Sequence, residues 1–180
     1  MKHEVKSISK AGIPEAIAKV ELYRYLNEPE EAESICRDIL AVDPNHQLAR
    51  RMLGLAITDQ FLGTSTDRYK EAESCFQALR DPYERLYYSG LLHERRAKAQ
   101  LHAGYSSHIL LPLVEEAMQC FAEAEKIRPA GNDDSILRWN RCVRLLESRP
   151  DFYVERGPAA LHPEDMPPVS PSARRAGGNH

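Results

Sequence analysis

Seven histidines and four cysteines are the side chains of this 180-residue chain best suited to hold a metal or act as a nucleophile. His93, His102 and His108 stand closest together, and His93-Glu94 has the opening of a helical zinc-protease motif. That motif needs a second histidine four residues on, so that two imidazoles share one helix face, and none follows. His102 and His108 have no carboxylate or cysteine spaced to complete a site. There is no glycine-rich phosphate loop, no Gly-x-Ser-x-Gly elbow and no cysteine with a catalytic histidine context. Glu116 and Glu123, seven residues apart, share a helix face and could form half of a carboxylate pair if that face pointed inward. The stripe of Ala117, Phe121 and Ala124 claims the inward side instead. Cys36, Cys75, Cys120 and Cys142 fall inside apolar helical patterns without paired metal spacing, as small core residues do. The residues imply no metal and no cofactor, and the chain reads as a non-enzyme.

The elements that carry these residues are marked by proline. Of twelve prolines, Pro14, Pro29, Pro44, Pro82, Pro112 and Pro129 are spread over the first 130 residues, and six crowd between Pro150 and Pro171. Proline breaks a helix interior but suits its first turn, so the spread group predicts helix boundaries. Between them, Ala32, Ile35, Cys36, Ile39 and Leu40 fall at three- and four-residue steps, and Asp43-Pro44-Asn45 stops that helix. Leu48, Met52, Leu53, Leu55, Ala56 and Phe61 form a second stripe ending near Gly63. Another helix is expected after Thr64-Ser65-Thr66-Asp67. Asp81-Pro82-Tyr83-Glu84 reads as a cap, a first-turn proline and a reciprocal glutamate opening a long helix to Gly104. Helices near 111–128 and 133–148 complete an all-α set of seven, since no stretch alternates with a period of two.

A hydrophobic fraction of 42% and a charged fraction of 28% suit an ordinary folded domain. The net charge of −3, with acids and bases mixed, builds no field to attract a nucleic-acid backbone or an anionic membrane. The first ten residues hold three lysines and a glutamate but no apolar run, which predicts neither signal peptide nor membrane anchor and a cytoplasmic location.

The chain also repeats itself. Glu31-Ala32-Glu33-Ser34 recurs as Glu71-Ala72-Glu73-Ser74, and Glu116-Ala117 opens a third similar helix; Cys36, Phe76 and Phe121 follow four residues after the respective alanines. Forty residues separate Ala32 from Ala72 and forty-five separate Ala72 from Ala117, a helix-hairpin period lengthened by loops. A small residue is needed where the two helices of a hairpin approach closest. In the first unit Tyr23, Ala32, Ile39 and Asp43-Pro44, and in the second Leu53-Gly54, Ala72, Phe76 and Leu79, occur in the order of the tetratricopeptide repeat, which the chain resembles over residues 13–148. Gly54, costly by about 1 kcal/mol inside a helix, fits a close helix contact. The third unit has Ala117, Phe121, Ala124 and Pro129, with the register of its first helix left open and residues Ser106 to Leu113 lengthening its loop. The last helix, with Ile136, Leu137, Trp139, Cys142, Val143 and Leu146, would cover the apolar end of the array, Trp139 being expected in the core.

The resemblance implies a right-handed α-solenoid of about seven antiparallel helices whose first helices line a concave groove for an extended peptide or partner helix. It divides the chain into an N-terminal extension (1–12), a repeat domain (13–148) and a proline-rich tail (149–180). Carrying the register across, the groove side would include Ile17, Glu21, Arg24 and Tyr25 in the first unit and Arg51, Leu55, Thr58 and Asp59 in the second. Family members that clamp a terminal carboxylate of chaperones use a Lys and Asn set, and the matching places here hold Ile17, Glu21, Arg51 and Leu55, which argues against that role. The expected function is a protein-interaction scaffold, with a protein or peptide partner and no nucleic acid or membrane. A self-assembling repeat that forms homo-oligomers and a small helical enzyme with a site spread across helices are the alternatives. The tail has too little apolar surface to fold alone, so disorder or loose docking is expected of it, and the apolar cluster Phe152-Tyr153-Val154 is the segment that would dock on the solenoid, in its own groove or a neighbour's.

Overall fold

A computed structural model describes residues 3–62 and 68–154. Among them are seven α-helices and no strand: α1 (Ile13–Tyr25), α2 (Pro29–Val42), α3 (Gln47–Asp59), α4 (Tyr69–Gln77), α5 (Pro82–His102), α6 (Ser107–Lys126) and α7 (Asp134–Glu147). Short 3-10 turns at Lys10–Gly12 and Pro150–Phe152 flank the set.

Local chemistry explains most boundaries. Pro14, Pro29 and Pro82 each sit in a first turn, where their missing N–H has no acceptor to lose. The Asp43 carboxylate accepts the Asn45 N–H at 3.2 Å and turns the chain out of α2. His46 caps α3 through its ring, Nδ1 accepting the Ala49 N–H at 3.1 Å. Asp81 caps α5 by accepting the Tyr83 N–H at 2.8 Å. Glu84, expected to reach back to that cap, instead pairs with Arg51 on α3. Helix α3 ends at Asp59, short of Gly63, and that glycine and the Thr64–Asp67 start signal lie outside the described residues.

Pro112 departs from its expected role. It lies inside α6, which begins at Ser107 and not near 111, so the residues expected to lengthen a loop form the first turns of the helix. As the sixth residue of α6, Pro112 forfeits the one hydrogen bond that its amide would have made to the His108 carbonyl. Leu110 and Val114, 2% and 1% exposed, flank it and hold the turn against the core.

Each helix packs on its neighbours in sequence, and α1 with α3, α3 with α5, and α5 with α7 also touch. Ala32, Ala72 and Ala117 are fully buried where the paired helices meet. A Cβ on Gly54 would lie 2.5 Å from the Phe76 ring, and one on Gly90 would lie 2.7 Å from the Phe121 ring. The same glycine–phenylalanine contact therefore closes the α3–α4 and α5–α6 hairpins. One core runs from α1 to α5, where it takes Leu91 and Leu92. A second joins Ala97 of α5 to α6, α7 and Phe152.

Phe152 is 1% exposed and belongs to that second core, whereas Tyr153 and Val154 are exposed. Trp139 was expected in the core but is exposed, as is Leu137; the inward face of α7 is Ser135, Cys142, Leu145 and Leu146. Residues 155–180, most of the expected tail, lie outside the described residues.

Candidate interaction face

The odd-numbered helices bring a row of charged groups together. Arg24 of α1 donates from Nε to Asp59 Oδ2 of α3 at 2.8 Å. Arg95 of α5 donates to the other Asp59 oxygen, to Thr58 Oγ1 at 2.6 Å and to the Leu55 carbonyl at 3.3 Å. One carboxylate thus ties three helices, and both of its oxygens are occupied. Two turns earlier on α3, Arg51 pairs with Glu84 of α5 and lies 5.9 Å from the Tyr88 ring centroid. Tyr88 in turn stacks on Phe76 at 5.4 Å.

Further along α5, Glu94 is buried to 1% exposure. Lys98 bonds its Oε1, and Arg138 of α7 reaches within 3.6 Å of its Oε2, an oxygen that makes no hydrogen bond. Burial works against the charge of Arg138, but a hydrogen bond with Tyr87 and the nearby Glu94 more than offset it, so its pKa is raised.

Of the residues expected on the groove, Arg24, Thr58 and Asp59 enter one network, together with the Leu55 carbonyl. The Leu55 side chain is buried and shapes this face from beneath. Arg51 stands in the neighbouring pair with Glu84. Ile17 packs partly buried against the first core, Glu21 is exposed, and Tyr25 is 88% exposed at the end of α1. Sequence reasoning missed Glu94, Arg95, Lys98 and Arg138. The signal was Gly90: aligned with Gly54, it places Arg95 level with Asp59 and Glu94 level with Thr58.

No family model, curated protein or solved structure matches the chain.

The chemistry-bearing residues weighed first are dispersed or buried. His93 Nδ1 lies 3.3 Å from the Tyr69 hydroxyl and 3.5 Å from Glu116, and burial holds its pKa below the usual imidazole value. His102 is exposed and His108 half-buried. Glu116 and Glu123 lie on the outer side of α6, while Ala117, Phe121 and Ala124 are fully buried. Among the described residues no group of three or more His, Cys, Asp and Glu could hold a metal ion, and no helix is long and apolar enough to cross a membrane.

On the even-numbered helices a second network forms. Glu33 of α2 accepts from Arg68 at 2.7 Å and from Arg37 at 2.6 Å, and both arginines also pair with Glu71 of α4. Chiefly through its bonds to Arg68, which outweigh burial, the Glu33 carboxyl is held down to about 2.

Proposed function

We propose that the chain is a tetratricopeptide-like solenoid and works as an interaction scaffold, holding a peptide or partner helix against the face formed by α1, α3, α5 and α7. The observation that carries this reading is the spacing of the side-chain pairs between helices. Arg24 and Asp59 are 35 residues apart, Asp59 and Arg95 36, Glu33 and Arg68 35, Arg37 and Glu71 34, and Arg51 and Glu84 33. These spacings lie close to the 34 or so residues of stacked helix hairpins, whereas Glu94 and Arg138, which join α5 to α7, stand 44 residues apart across the longer third unit.

Such stacking leaves the first helix of each hairpin on a shared face, and that face here alternates arginine, aspartate, glutamate and tyrosine. Mixed charged and aromatic surface suits selective contact with another chain. Exposed Leu22 and Tyr25 in the last turn of α1, with Leu26 just after it, extend it with an apolar edge. The reading is of a binding protein and not an enzyme.

The test uses the intact chain beside a variant carrying Glu21→Ala, Tyr25→Ala and Arg51→Ala, all outside the buried core. A partner captured from the native cell extract is then purified and titrated against both forms by calorimetry. Binding by the intact chain and its loss in a folded variant supports the face. Equal binding by both forms overturns it. Light scattering of the chain alone decides whether a second copy is the partner.

A further inference from the structure

Around Asp59 and Glu94 the odd-numbered helices gather more positive charge than those two carboxylates neutralise. Arg24 and Arg95 share Asp59, and Lys98 and Arg138 share Glu94, so four cations face two carboxylates. The surplus is felt locally. Burial lowers the Arg95 pKa from its ordinary value, Asp59 offsets part of that, and Arg24 and Arg138 push the same way as burial.

Donors are also left over. Arg95 uses one terminal nitrogen for all its bonds, leaving Nε and Nη2 without a partner among the described residues, and Lys98 spends one donor on Glu94. Glu94 is 1% exposed, its Oε1 bonded by Lys98 and its Oε2 facing Arg138 at 3.6 Å without a hydrogen bond. A carboxylate this deep is costly unless its charge is used, and here it anchors Lys98 and Arg138 beside Arg95.

Next to these donors, Thr58, Asp59, Phe61, Leu62, Arg95 and Lys98 line a cavity of about 190 Å3. One side carries Arg95 and Lys98, together with the Asp59 carboxylate, whose two oxygens are already paired to Arg95 and Arg24. The other is apolar, with Leu62 65% exposed.

We propose that this cavity receives the phosphoryl group of a phosphorylated peptide side chain, Arg95 and Lys98 binding its oxygens while Phe61 and Leu62 lie against its carbon stem. The proposal rests on the reading of this face as a peptide-binding surface and names the group that it selects. A phosphate monoester carries close to two negative charges at neutral pH, its second proton leaving near pH ~6, whereas a carboxylate carries one. The dianion matches the surplus of two, and the guanidinium fork of Arg95 suits its geometry.

The experiment titrates the full chain with phenyl phosphate, following the Arg95 Nε–H and Phe61 resonances by NMR and the heat by calorimetry, with benzoate as the monoanion control. The expected result is saturable one-to-one binding that tightens from pH 5.5 to 7.5 as the second proton leaves. Benzoate should bind much more weakly, and Lys98→Gln, compared with the intact chain at a temperature where circular dichroism shows both folded because the change removes a partner of buried Glu94, should weaken phenyl phosphate by roughly tenfold, about one charge-assisted hydrogen bond. No saturable shift at millimolar phenyl phosphate, or benzoate binding as tightly, overturns the proposal. If either occurs while the combined Glu21, Tyr25 and Arg51 changes abolish partner capture, the phosphoryl site is wrong and the peptide face stands. If phenyl phosphate binds as expected while the partner ignores the Glu21, Tyr25 and Arg51 changes, the peptide face is wrong and the anion site stands alone.

Discussion

The Phe76 ring occupies the space that a Cβ on Gly54 would need, 2.5 Å from where that atom would sit. The ring is fully buried and stacked on Tyr88, so it has nowhere to retreat. Gly54→Ala should therefore destabilise the chain by about 1–3 kcal/mol through overpacking, against the ~1 kcal/mol that alanine gains in helix propensity. Urea midpoints measure the net loss. Phe76→Leu, which shortens the ring side, should recover part of it in the double variant, giving a coupling energy that two independent sites would lack.

Gly90 and Phe121 should behave alike, since a Cβ on Gly90 would meet that ring at 2.7 Å. If Gly90→Ala is as costly as Gly54→Ala while alanine at half-buried Gly12, where a Cβ would meet only Ser9 Oγ at an ordinary 3.4 Å, costs little, close helix approach is the cause at both sites. Equal, small effects at all three positions would refute it.

Glu33 supplies an acid-sensitive contribution. Its folded carboxyl titrates at about 2 against an ordinary value of 4.5, so its stabilisation is fully present above the ordinary value and is lost as pH falls through the folded one. Urea midpoints taken between pH 6 and 2 should fall across this window. Glu33→Gln should flatten that part of the curve while lowering stability at pH 6, and Arg68→Ala should have the same sign.

Burial pushes the Cys36 thiol up to about 12 and those of Cys75 and Cys142 up to about 11, which leaves almost no thiolate at neutral pH. A thiol reagent should find Cys120, the half-buried one, first in the native protein and all four after unfolding. Rapid native reaction at Cys36 would contradict the packing of α2.

Phe152 fills the second core from beyond the last helix. Phe152→Ala should cost about 3 kcal/mol, near the lower end for a buried phenylalanine because the turn that carries it can collapse inward. Tyr153→Ala, at an exposed side chain, should be close to neutral. Thermal unfolding of the two variants side by side separates them.

The helices were legible in the sequence because each one states its own period and most carry their own stop signals. Ala32, Ala72, Ala117 and Gly54 were legible for a related reason, since a small residue inside an apolar stripe has few uses other than close packing. Pro112 misled because a local rule met a tertiary one: Leu110 and Val114 gain enough from burial to carry α6 across the proline. Trp139 misled because aromatic size says nothing about which side of α7 faces inward; the positions of Cys142, Leu145 and Leu146 decide that. Glu84 reads as a cap partner until Arg51, 33 residues earlier, is brought opposite it. The odd-helix network was half visible. Arg24 and Asp59 follow from the repeat, but their counterpart Arg95 depends on the register of α5, and the irregular spacing between the second and third units concealed it.

Helix α5 gives Leu91 and Leu92 to one core and Ala97 to the other. A linear stack could melt inward from either end, one hairpin at a time, but here the final melting step on both sides strips the same 21-residue rod. The two halves are thereby spliced into a single cooperative unit, and amides midway along α5 should exchange with solvent last, on the timescale of global opening.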